Sequence, residues 1–123
     1  MRLRLLLVDD AEDIRAIARM SLERVGGWEV VSAAGGPEAL RALREDGPFD
    51  AVLLDVMMPG MDGPATLAQM RASGLAADVP VVFLTAKATG EECSRLQALG
   101  GAGVLPKPFD PMELPRELER LLE

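Results

Sequence analysis

Short aliphatic runs recur along this chain with helix-patterned stretches between them, and this alternation restricts the possible folds more than any other feature. Arg2–Val8 predicts a strand that is aliphatic on both faces. Ala51–Leu54 and Val79–Leu84 are likewise continuous apolar runs. Strands of that kind must be covered on both sides, which is the pattern of a parallel sheet between layers of helix. Ala11–Val25 carries Ile14, Ile17, Ala18, Leu22 and Val25 at helical spacing, and Gly26-Gly27 stops it. Trp28–Ala33 reads as a second strand, and Pro37–Arg44 as a second helix with its proline at a favourable first position. Helices over Pro64–Ala72 and Ala88–Leu99 follow the third and fourth strands, and Gly103–Leu105 is a short fifth strand. Asp110–Leu122 reads as the last helix. Right-handed crossovers then give a doubly wound α/β sheet of five parallel strands and five helices, with its crevice at the carboxyl ends of the strands.

The last helix contains a local conflict. Asp110 and Glu113 are spaced as a capping box, yet Pro115 would fall one turn in, where its ring crowds a carbonyl. An irregular start or a bend is expected there.

A length of 123 residues suits one domain, taken here as residues 1–123. Aromatic residues make up only 3 % of the chain, so aliphatic side chains must fill the core. Cys93 is the sole cysteine, which excludes an internal disulfide and suggests a cytoplasmic location; a small helix residue is the simplest account of it. The net charge of −7 argues against a nucleic-acid surface, which would need a basic stripe. The apolar run Leu3–Val8 is too short for a signal segment or a membrane span. The absence of histidine removes a large class of catalytic and metal sites.

The polar residues that matter fall just past strand ends. Asp9-Asp10 follow the first strand, Asp55 the third, Thr85 the fourth and Lys107 the fifth. In a doubly wound sheet these ends converge. Three adjacent carboxylates repel one another and call for a cation, and oxygen ligands without His or Cys select a hard ion, Mg²⁺ in a cell. A lysine opposite the metal suits a phosphoryl group as a point charge, and a threonine hydroxyl can donate to a further oxygen. The parts match in-line phosphoryl transfer, with a carboxylate as the nucleophile that becomes an aspartyl-phosphate. Simpler roles compete at single positions. Asp9 or Asp10 could cap the first helix, Thr85 the fourth, and Lys107 could be a solvated loop charge. Asp62 reads as a turn or cap residue, and Met57, Met58 and Met61 as packing rather than metal ligands.

Four motifs in order, each after its own strand, carry a family resemblance: Val8-Asp9-Asp10, Asp55 through Gly63 (Asp-Val-Met-Met-Pro-Gly-Met-Asp-Gly), Leu84-Thr85-Ala86 and Lys107-Pro108-Phe109. The chain closely resembles bacterial response-regulator receiver domains over essentially its whole length. The resemblance implies a flavodoxin-like sheet of order 2-1-3-4-5. It implies Asp55 as phosphoacceptor, Asp10 as a direct Mg²⁺ ligand with Asp9 as its partner, and a ligand from the backbone carbonyl of Met57. It implies Thr85 as the hydroxyl that moves toward the phosphoryl group, Lys107 as the paired lysine, and a cis Lys107–Pro108 bond. Ala86, being small, leaves the acyl-phosphate approachable. The donor would be a phosphohistidine on a sensor histidine kinase or phosphotransfer protein. The output would be protein binding rather than enzymatic turnover, from a monomer or a weak dimer formed through the helix 4–strand 5–helix 5 face.

The sequence departs from the family at Val104, where Tyr or Phe is usual. The aromatic ring turns inward there as the threonine moves, so weaker coupling, or coupling through the loop after strand 4, is expected. The resemblance implies that Met57 and Lys87 flank the path of the attacking water and tune the lifetime of the phosphate, although Lys87 also suits an exposed helix start. Trp28 should lie away from the crevice. Two other classes compete: a constitutive binding module that keeps the fold without the switch, and an aspartate-nucleophile phosphatase. The phosphatase would need a second Asp where Met57 stands, and no GxxxxGK[ST] motif supports a nucleotide-binding enzyme.

Overall fold

The computed structural model describes residues 2–123. Five parallel strands form one sheet: β1 (Arg4–Val8), β2 (Glu29–Ala33), β3 (Ala51–Asp55), β4 (Val81–Thr85) and β5 (Gly103–Pro106), in the order β2-β1-β3-β4-β5. The expected doubly wound α/β fold is therefore present. Five helices connect and cover the strands: α1 (Glu12–Met20), α2 (Gly36–Glu45), α3 (Gly63–Ser73), α4 (Gly90–Ala98) and α5 (Leu114–Leu122).

Period-two alternation divides the strands between two apolar layers. Leu6, Val8, Val52, Leu54, Val81 and Phe83 enter one layer, together with Leu43 of α2, Leu67 and Met70 of α3 and Leu96 of α4. Leu5, Leu7, Leu53, Val82, Leu84 and Leu105 enter the other, together with Ala18 of α1 and Leu114 and Leu118 of α5. Every residue of β3 and β4 is buried. This explains why these runs lack the polar alternation of a half-exposed strand.

Several boundaries differ from the sequence expectation, each for a local reason. The stretch after α1 is not regular α-helix to Val25: Ser21–Val25 forms one π-helical turn, and the buried Ser21 hydroxyl donates to the carbonyl of Pro111. The fourth helix starts at Gly90 rather than Ala88 because Thr89 caps it, accepting from Glu92 N at 3.1 Å. Residues 86–90 are exposed loop and helix start. The capping box expected at Asp110 does not form. Its carboxylate accepts instead from Met112 N at 2.9 Å, and α5 begins only at Leu114. Pro115 then lies in the first turn, where its missing N–H has no helical partner to lose.

Trp28 is buried immediately before β2, at the end of the sheet opposite the strand carboxyl ends. Of the methionines expected to pack, Met58 is buried and Met61 lies half-buried beside Gly36, whereas Met57 is 76 % exposed. Packing does not account for Met57. The Lys107–Pro108 bond is cis, and so is Gly47–Pro48, which the sequence did not signal. No described helix is long and apolar enough to cross a membrane.

Candidate functional site

Strand register brings the site together. Val8 pairs with Leu54, so Asp9 emerges level with Asp55. Asp55 pairs with Leu84, and Thr85 with Pro106, so Lys107 leaves β5 one residue beyond Thr85. The bond from Lys107 N to Thr85 O, 2.8 Å, extends that ladder to the lysine itself.

Lys107 Nζ lies 3.0 Å from Asp55 Oδ1 and 2.9 Å from Asp9 Oδ2. Asp9 is fully buried and Asp55 nearly so, while Asp10 is exposed at the mouth. Carboxylate oxygens of Asp9, Asp10 and Asp55 lie within 4.8 Å of one another. Asp9 Oδ1 accepts from Ala11 N at 2.9 Å, which orders the turn into α1 without making Asp9 or Asp10 the helix cap. Asp9 Oδ2 is buried and accepts no well-formed hydrogen bond; its close contact is the off-line ion pair with Lys107.

Burial pushes the Asp55 carboxyl up from its ordinary 3.8 to about 6. The hydrogen bond from Lys107 opposes that rise and the charge of Asp9 adds to it. Burial also works against the Lys107 ammonium, but the close carboxylates of Asp9 and Asp55 outweigh it, and its pKa is raised. Two nearly buried carboxylates thus share one lysine. An under-bonded buried oxygen amid an all-oxygen donor set fits a hard divalent cation.

Thr85 is buried at the end of β4, and its Oγ1 accepts from Lys87 N at 3.1 Å. It does not cap α4, a role that belongs to Thr89. Asp62 caps α3 by accepting from Ala65 N at 2.8 Å, as its position suggested. Gly63 permits a close approach: a Cβ there would lie 2.5 Å from the Asp55 carbonyl oxygen. The glycine lets α3 start directly against the backbone that carries Asp55.

One contact was not foreseen. Arg15 of α1 donates from Nη1 to the carbonyl oxygen of Asp9 at 2.8 Å. The available signal was weak, an arginine on the second turn after the acidic pair, whose side chain leans back toward the helix start.

Comparison with known proteins bears on the family and the fold. Residues 5–119 match the model of the response regulator receiver domain. The response regulator MprA of Mycolicibacterium vanbaalenii is 42 % identical over 123 residues, covering 99 % of this chain and 51 % of its own. A probable transcriptional regulator ycf27 of Pyropia yezoensis is 39 % identical over 121 residues, covering 97 % of this chain and 47 % of its own. The structure of the chemotaxis response regulator CheY4 of Vibrio cholerae superposes with a TM-score of 0.89 at 33 % identity, covering 98 % of this chain and 99 % of that one. The chain belongs to the response-regulator receiver domain family of two-component systems. It spans about half the length of the curated relatives it matches.

Proposed function

We propose that Asp55 is the phosphoacceptor of this receiver domain and that the phosphate it carries switches protein binding. One observation carries the proposal: Asp55 shares Lys107 with Asp9 inside a three-carboxylate cluster at the convergence of the strand ends. A nearly buried carboxylate whose pKa stands above the ordinary range is hard to explain as a structural residue.

The donor is a phosphohistidine on a sensor histidine kinase or phosphotransfer protein. An Asp55 oxygen forms the O–P bond while the P–N bond to the donor imidazole breaks; the electron pair stays on that nitrogen, and the proton already on the other ring nitrogen makes the leaving group neutral imidazole. Lys107 offers its ammonium to the charge that develops on the phosphoryl oxygens. The buried Thr85 hydroxyl is a second donor, once it turns from the contact with Lys87 N. Asp9, Asp10, Asp55 and the Met57 carbonyl are the ligands that would hold Mg²⁺. Bound there, the ion supplies charge neutralisation for the phosphoryl oxygens. Exposure of the Met57 side chain suits a position that contributes only its backbone. Loss of the phosphate is hydrolysis of the acyl-phosphate at the same site, past the small Ala86, with Met57 and Lys87 flanking the approach. The domain catalyses these steps on itself only. The partner that reads it is either another protein or an output domain of the kind that a doubled chain length in the relatives could contain.

Incubation with a small phosphodonor such as phosphoramidate and Mg²⁺ tests the proposal. Intact mass should rise by one phosphoryl group in the wild type and stay unchanged with EDTA or in Asp55→Asn. Phosphorylation that persists in Asp55→Asn would move the acceptor elsewhere. A wild type that takes up neither phosphate nor beryllofluoride would favour the constitutive binding module.

A further inference from the structure

We infer that Arg15 is a positioning residue for the metal-binding pair Asp9-Asp10, acting through the peptide group between them. The inference rests on the metal-site reading above and deepens it.

Asp9 is held at four points, and three of them have obvious structural purposes. Its N–H donates to Ala33 O at 3.2 Å and so extends the β1–β2 ladder by one residue. Its Oδ1 accepts from Ala11 N, and its Oδ2 faces Lys107. The fourth point is the carbonyl, which accepts from Arg15 Nη1 at 2.8 Å. This carbonyl belongs to the Asp9–Asp10 peptide, a planar unit. Fixing its oxygen fixes the plane, and with it the direction in which the exposed Asp10 leaves the backbone toward Asp9 and Asp55.

The choice of partner is informative. Arg15 is half-buried and joins none of the described ion pairs, although Glu12 precedes it by one helical turn. Further along α1, Arg19 makes the ordinary choice and pairs with Glu23 at 3.1 Å. Arg15 is anchored on its own side, since its N–H donates to Ala11 O at 2.9 Å. Ala11 is in turn the residue whose N–H holds Asp9 Oδ1. Backbone and side chain of Arg15 therefore clasp both ends of the turn that carries the acidic pair. Groups that orient metal ligands in this way commonly change metal affinity by about tenfold or more when removed.

The test is Mg²⁺ titration by calorimetry, with thermal unfolding in EDTA as the control. Arg15→Met keeps the apolar stem of the side chain and removes the donor. It should weaken Mg²⁺ binding by about tenfold while leaving the metal-free unfolding temperature nearly unchanged. Arg15→Lys, which retains a charged donor, should recover most of the affinity. Equal or tighter Mg²⁺ binding by Arg15→Met would overturn the inference, as would a lowered metal-free unfolding temperature with unchanged affinity. Absence of Mg²⁺ binding by the wild type would defeat the metal-site reading itself, and this inference with it.

Discussion

Lys107 and Asp55 stand 52 positions apart in sequence and are joined by a 3.0 Å hydrogen bond. The same ammonium lies 2.9 Å from Asp9. One cation thus serves two carboxylates that are almost wholly removed from solvent. Its removal should leave both without their counter-charge. Lys107→Met is expected to lower metal-free stability by about 3 kcal/mol, the scale of breaking a buried ion pair from one side. Urea unfolding in EDTA measures this. Mg²⁺ should restore part of the loss, because it supplies positive charge to the same oxygens. Phosphorylation by a small donor should be slowed strongly.

The raised pKa of Asp55 has a definite sign in stability. Between its ordinary 3.8 and about 6 the folded protein holds a proton on Asp55 that the unfolded chain has released. The contribution of Asp55 therefore favours folding at low pH, falls as pH rises through this window and is flat above it. Its size is on the order of 3 kcal/mol, from about two pH units. Asp55→Asn lacks this term, so its stability relative to wild type should climb from pH 4 to pH 6 and then level off in EDTA. Saturating Mg²⁺ should reduce the climb. Lys107, with its pKa raised, has the same sign in a higher window: its stabilisation is complete below 10.5 and is lost at more alkaline pH.

Gly63 is tolerated by nothing larger. An added methyl group would meet the Asp55 carbonyl at 2.5 Å and Val56 Cα at 3.0 Å, and both are backbone that cannot rotate away. Gly63→Ala should cost about 2–3 kcal/mol by chemical unfolding and should displace Asp55 enough to slow its phosphorylation. Gly90→Ala makes a useful contrast, since a Cβ there meets open space.

Val104 is half-buried and pairs in register with Phe83, whose ring is fully buried against Gly101. The ring that pairs with this position is therefore already packed in the core. Hydrogen exchange over 90–122 should change little when beryllofluoride and Mg²⁺ are added to the wild type. Val104→Tyr should enlarge that change and leave the rate of Asp55 phosphorylation unaltered.

Trp28 precedes β2 and the site lies beyond the other end of the strands. Five strand residues place them roughly 16 Å apart along the strand axis. Mg²⁺ titration should leave the tryptophan emission nearly constant.

The sheet and its convergence point were legible because they depend on pattern. Fully aliphatic strands, helical spacing between them and chemistry-bearing residues at strand ends are one-dimensional signals. What was missed depends on contacts between distant segments. The π-helical turn at Ser21 answers the carbonyl of Pro111, and the late start of α5 follows from Asp110 binding Met112 N rather than capping with Glu113. Met57 and Met58 are adjacent and of one type, yet one is exposed and the other buried, a difference set by how the loop after β3 turns. Arg15 was overlooked for a similar reason, since its partner is a backbone carbonyl that has no identity in sequence.

The two apolar layers do not include the site residues, which stand at or just past the ends of strands whose bodies are packed with aliphatic side chains. Substitutions at the exposed rim of the pocket, such as Met57 and Lys87, should therefore be inherited almost independently of those in the layers. A lineage could retune its phosphate lifetime or its partner many times over without renegotiating how the chain folds.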